Sequence, residues 1–171
     1  KTTKVNEALE PIQDQLSRID FECCKPADVA PFHQMVAQIH AKNQTNPSAC
    51  ATFGLILFHQ DKIAEAKEVY SKGFAGVIAA LGDRELRFIW GSLSNRDPLR
   101  CMHGYALCCE ELGDKVGALM MFQRILALNP NDNQGVRFQI PHLMRDLGAE
   151  KEAHAFAKKH GFELADPEDD D

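Results

Sequence analysis

RCMHGYALCCEELGDKVGALMMFQRILALNPNDN, residues 100–133, decides the fold because it contains a complete helix–turn–helix unit with both of its stops. Met102, Tyr105, Ala106 and Cys109 recur at offsets of three, four and seven, which places them on one helical face. Gly113 takes a positive φ cheaply and closes that helix, and Asp114-Lys115 opens the next with an acid at its N-terminus. Ala118, Phe122, Ile125 and Leu126 form the second apolar face, and Pro130 ends it. Each helix has one face to bury and the turn is short, so the two pack antiparallel.

The unit resembles the tetratricopeptide repeat. In that pattern Met102 stands at the Trp place, Tyr105 at the Leu place, Ala106 at the Gly place and Cys109 at the Tyr place, while Ala118, Phe122 and Pro130 match directly. The run LNPNDNQGVR, residues 128–137, with Trp90, Gly91, Asn95, Arg96, Pro98 and Arg100 upstream, is also similar to a group of uncharacterised repeat proteins. These resemblances imply an all-α, right-handed α-α superhelix of about three helical-hairpin repeats behind an N-terminal helical pair.

Working outward, Phe53, Gly54 and Leu57 occupy first-helix places of an earlier repeat, and Ala66 and Tyr70 occupy second-helix places. The step from Gly54 to Ala66 equals that from Ala106 to Ala118. The interval from Ala66 to Ala118 is 52 residues, well beyond an ideal period of about 34. The excess is an insertion at 82–98, where Leu86, Ile89 and Trp90 are expected to form a short helix and Asn95, Asp97 and Pro98 a turn. A third repeat follows Pro130: Asn131 or Asp132 caps it, Val136, Ile140, Leu143 and Leu147 line it, Pro141 kinks it and Gly148 closes it. Ala153, Phe156 and Ala157 belong to its last helix.

Residues 1–44 read as a helical pair, either a cap or a degenerate repeat. Val5, Leu9, Ile12, Leu16 and Ile19 line a first helix over 3–19 that contains Pro11. Asp28 caps a second, with Val29, Phe32, Met35, Val36 and Ile39 on its face. The repeats span 45–164, and 165–171 is an acidic tail expected to be disordered.

The chain of 171 residues suits one domain. Of its net charge of −6, five units sit at Asp166, Glu168, Asp169, Asp170 and Asp171, so the body is nearly neutral and is not a nucleic-acid surface. Its six cysteines, Cys23, Cys24, Cys50, Cys101, Cys108 and Cys109, lack the spacing of a secreted disulfide framework. The cytoplasm or another reducing compartment is expected. The longest apolar run, Phe74 to Leu81, is too short to span a bilayer, and no leader is visible.

In tetratricopeptide stacks the first helices line a concave groove that holds a partner segment. The resemblance carries this role to Ala51, Leu55 and Phe58 of one repeat and to Arg100, His103, Leu107 and Glu110 of the next, with Arg137 added from the third. Such a groove suits an aliphatic anchor beside a carboxylate, which an arginine would take as a forked pair, unless Arg100 and Arg137 merely pair with Glu110 or Asp132. Stacks that clamp the C-terminal carboxylate of chaperones use Lys, Asn and Arg where this chain has Ala51, Leu55, His103 and Leu107, so that clamp is not expected. Trp90 and Arg96 in the insertion serve either recognition or anchoring.

Cys101 and Cys108 share a helical face that Cys50 approaches, but no paired C-x-x-C ligands occur, and packing of small thiols is the expected role. No G-x-S-x-G, phosphate loop or H-E-x-x-H is present. The expectation is a protein-binding module or adaptor without catalysis, metal or cofactor. The alternatives are a structural subunit of a larger assembly and a thiol-based regulatory domain.

Overall fold

A computed structural model describes residues 2–19, 25–81 and 87–165. The described residues form eight helices and no strand: α1 (Thr2–Leu16), α2 (Pro26–Ala41), α3 (Pro47–His59), α4 (Ile63–Leu81), α5 (Leu93–Glu111), α6 (Lys115–Leu128), α7 (Val136–Asp146) and α8 (Glu150–Lys159). Each helix packs on the next, and α3 also lies against α1 and α5. The expected tail, the Cys23-Cys24 pair and the start of the insertion, 82–86, lie outside the described residues.

The helix ends follow from local chemistry. Asn46 accepts a hydrogen bond from the Ala49 amide at 3.0 Å, with Pro47 at the first helical position of α3, where its missing N–H is of no consequence. Asp114 does the same for the Gly117 amide at 2.9 Å, and Gly113 holds φ 78° between α5 and α6. Asp132 takes the amides of both Val136 and Arg137, at 2.8 and 3.0 Å, and so caps α7 from a distance although Gly135 stands at the formal N-cap.

Three apolar clusters fill the interior. Leu9, Ile12, Val29, Val36 and Ile56 join α1, α2 and α3. Cys50, Leu57, Ala66, Tyr70, Cys101 and Cys108 join α3, α4 and α5. Met102, Ala106, Cys109, Phe122, Ile125, Ile140 and Leu143 join α5, α6 and α7, with Phe156 of α8 packed against them. The adjacent Cys108 and Cys109 belong to different clusters because consecutive helical residues point about 100° apart, and α5 is covered on both of those sides.

Several expectations need correction. The described part of the insertion forms no short helix around Trp90: residues 87–92 are irregular, Leu86 lies outside the described residues, and α5 begins at Leu93 and runs through Pro98, so Asn95, Asp97 and Pro98 are helical. Pro98 is the sixth residue of α5, past the first turn, and its missing N–H leaves the exposed Ser94 carbonyl for solvent to satisfy. Ile89 is 72% exposed, and Phe88 anchors this segment instead, buried and with its amide donating to the Leu128 carbonyl at 2.6 Å. Asp28 is not the N-cap of α2; Lys25 is, and Asp28, three residues on, accepts from the Lys25 amide at 2.8 Å. Met35 and Leu147 face solvent, and buried His40 takes part in the face of α2. Leu147 follows the last helical residue of α7, which frees it from the helical face. The first helix ends at Leu16, and Pro11 and Pro141 lie inside continuous helices.

Candidate functional site

Where α1, α3 and α5 lie side by side they enclose a cavity of about 630 Å³, within the size range of ligand clefts. Leu16 supplies one wall from α1, Leu55 and Phe58 a second from α3, and His103 and Leu107 a third from α5. The floor is made by Tyr70 of α4. A Cβ at Gly54 would lie 2.5 Å from Cε1 of that ring, and one at Gly104 would meet Cζ. Two missing side chains thus let the ring pass between α3 and α5 until its phenol end reaches the cavity.

The polar groups around the cavity mostly satisfy each other. Gln13 of α1 donates from Nε2 to Ser48 Oγ at 3.2 Å and to Thr52 Oγ1 at 2.8 Å, tying α1 to α3. Arg100 donates from Nη1 to Asp97 Oδ1 at 3.0 Å, one turn back along α5. Gln134 donates to the Leu99 carbonyl at 3.3 Å, while its Oε1 is buried without a partner. Burial pushes the His103 imidazole below its ordinary value against the opposing pull of Asp132, and burial lowers His59 as well. Asp97 and Arg100 are therefore the ionised groups facing the cavity, and they cancel.

Six of the expected groove residues, Ala51, Leu55, Phe58, Arg100, His103 and Leu107, border this one cavity. Arg137 does not. Its Nε donates to Asp132 at 2.8 Å and its Nη2 to the Asn131 carbonyl at 3.2 Å, so it braces the turn before α7. Arg100 pairs with Asp97 rather than with Glu110, which does not line the cavity. Trp90 and Arg96 also lie away from it and serve each other: Arg96 Nε donates to the Trp90 carbonyl at 3.0 Å, and its guanidinium sits 5.3 Å from the indole centroid. The indole packs on the large core.

Gln13, Leu16, Tyr70, Asp97 and Gln134 border the cavity without having been expected there. Only Tyr70 left a trace in the sequence, through Gly54 opposite it; nothing in the pattern of α1 marks Gln13 as reaching across to α3.

Among the described residues the cysteines are packed away. Cys50, Cys101, Cys108 and Cys109 are free and buried. Burial raises all four thiols, Cys50 to about 11 and Cys108 to about 12. Cys50 and Cys101 close around Gly73, where a Cβ would lie 2.7 Å from Cys50 Cβ and 2.5 Å from Cys101 Sγ. Among the described residues no three or more His, Cys, Asp or Glu side chains are grouped to hold a metal ion, and no helix is long and apolar enough to cross a membrane. Comparison of the chain with protein-family models, curated proteins and solved structures gave no match.

Proposed function

We propose that this chain is a tetratricopeptide-like, right-handed stack of helical hairpins that holds a segment of a partner protein between α1, α3 and α5, with no catalysis of its own. The observation that carries the reading is the convergence of Leu55, Phe58, His103 and Leu107 on one cavity walled by alternate helices. Concave, mostly apolar sites with a few placed polar groups are where ligands and partner segments are held. The four described thiols, buried and weakly acidic, speak against the redox alternative at their positions, because the thiolate is the reacting species.

The test is capture of partners with quantitative mass spectrometry, using the wild type, Leu55→Glu with Leu107→Glu, and Met120→Glu. Met120 is exposed on α6 and does not border the cavity. Partners lost in the groove variant and kept by Met120→Glu support the reading; full retention in both would sink it.

A second reading, a subunit held in a larger assembly, is favoured by Ile89 and Leu93, which are 72% and 71% exposed within the insertion. It expects an entire complex to be lost in Ile89→Ser with Leu93→Ser while the groove variant keeps it.

A further inference from the structure

The chemistry of the groove restricts what it holds. An occupant carrying a net charge would leave water for a site whose own charges already cancel: Asp97 and half-exposed Arg100 are joined at 3.0 Å, and the pair adds no net charge to the wall. The two imidazoles at its wall, His59 and His103, are held toward the neutral form by burial, which removes them as cations as well. Gln13 spends its amide donors on Ser48 and Thr52.

What the cavity offers instead is an apolar wall, the Tyr70 hydroxyl as a donor and Gln134 Oε1 as an unpartnered acceptor, the Ser17 and Thr52 hydroxyls being already engaged. Leu55, Phe58 and Leu107 are each only partly buried, so they keep surface for another side chain to cover. Tyr70 is 4% exposed, and among the described residues nothing hydrogen-bonds its hydroxyl, although the ring borders the cavity. The hydroxyl keeps a little accessible surface toward the cavity, so solvent or a ligand there can accept from it. Its neighbours Cys101 and Cys108 are poor acceptors, and a carbonyl brought by a ligand is a better one.

We infer that the groove takes an uncharged peptide segment that buries one large aliphatic or aromatic side chain among Leu55, Phe58 and Leu107 and sets a backbone carbonyl against the Tyr70 hydroxyl. The inference rests on the groove reading above and narrows it. It also replaces the acidic motif that exposed arginines would favour, since Arg100 is already engaged by Asp97 and Arg137 by Asp132.

The probe is a library of random dodecapeptides displayed on phage, selected on the full chain and counter-selected on Leu55→Glu with Leu107→Glu. Selected sequences are then synthesised and titrated by fluorescence anisotropy. The expected outcome is a neutral consensus with one Leu, Ile, Phe or Trp anchor, whose affinity changes less than about twofold from about 0.01 to about 1 M salt. Tyr70→Phe, which removes the hydroxyl alone, weakens it by about threefold to tenfold, the worth of one neutral hydrogen bond. Leu107→Ala weakens it about tenfold, and melting curves of both variants check that the fold persists. An Asp- or Glu-anchored consensus with steep salt dependence overturns the inference and leaves the groove reading standing, as does a neutral consensus that binds Tyr70→Phe at full strength. Peptides that bind the groove variant as well as the wild type, or no selected peptide at all, overturn both.

Discussion

Tyr70 occupies the space in front of Gly104 where a side chain would begin. Gly104→Ala therefore forces the ring or α5 to move, and overpacking of this kind costs about 1–3 kcal/mol. Urea unfolding checks the value. The effect depends on the ring, so Gly104→Ala placed on Tyr70→Leu is expected to cost clearly less than the same change in the wild type; equal costs would show that the clash is not with Tyr70.

Asp132, whose side chain is 1% exposed, holds two amides of α7 and the Arg137 guanidinium while its backbone sits at φ 50°. Asp132→Ala loses cap, ion pair and a residue type tolerant of that φ, an expected loss of about 2–4 kcal/mol in thermal or urea unfolding. Arg137→Ala is expected to lose less, about 1 kcal/mol, because the amides stay capped. A larger loss from the arginine would reverse the assignment of which group braces the turn.

His40 gives the chain a pH dependence. It is buried, its Nε2 has no partner, and burial together with Lys72 holds its imidazole below the ordinary value. The unfolded chain then binds the proton more readily than the folded one. Stability is whole above about pH 6.5 and falls as pH drops toward the lowered folded value. His59, His103 and His160 are shifted the same way and add to the trend. Urea midpoints measured from about pH 7.5 down to about pH 5 should decline, and His40→Gln should flatten the slope. An unchanged slope would remove His40 as a contributor.

How much of this was legible beforehand differs from element to element. The α5–α6 hairpin could be read because every signal in it is local: a face repeated at three and four residues, Gly113 at positive φ, and Asp114 as cap. The start of α5 is hard to place from sequence because Pro98 commonly marks a boundary, and the five helical residues preceding it leave no periodic apolar signal. In the site, Leu55, Phe58, His103 and Leu107 followed from helical register, and pairing with Asp132 was one of the two readings open for Arg137, but Asp97 as the partner of Arg100 was not among them. Asp97 and Asp132 lie close in sequence to Arg100 and Arg137, and only the folded turns decide that those acids, rather than Glu110, are the partners.

The thiols provide a separate check. Cys50, Cys101, Cys108 and Cys109 are expected to react with iodoacetamide only as the chain opens, given their burial and raised values. Site-resolved mass spectrometry after brief labelling of the native protein should find these four unmodified. Rapid modification of Cys50 or Cys108 would restore the thiol-regulatory alternative.

In the insertion, Phe88 and Trp90 have exchanged the roles that their size suggests. Phe88 is 8% exposed against the core, whereas Trp90 is half-buried and shares its ring with Arg96. Phe88→Ala is expected to cost about 3 kcal/mol in urea unfolding, and Trp90→Ala less. The reverse order would mean that the indole is the anchor after all.

The hydrogen bond from the Phe88 amide to the Leu128 carbonyl reaches from just before α5 to the end of α6. In an open row of hairpins, each touching only its neighbours, fraying begins at one end and works inward unit by unit. Here the α5–α6 hairpin is closed into a loop at its own base, so the last two helices can peel away without loosening it. Hydrogen exchange would then divide the chain at this latch: fast amides in α7 and α8, and a single slow block from α3 through α6.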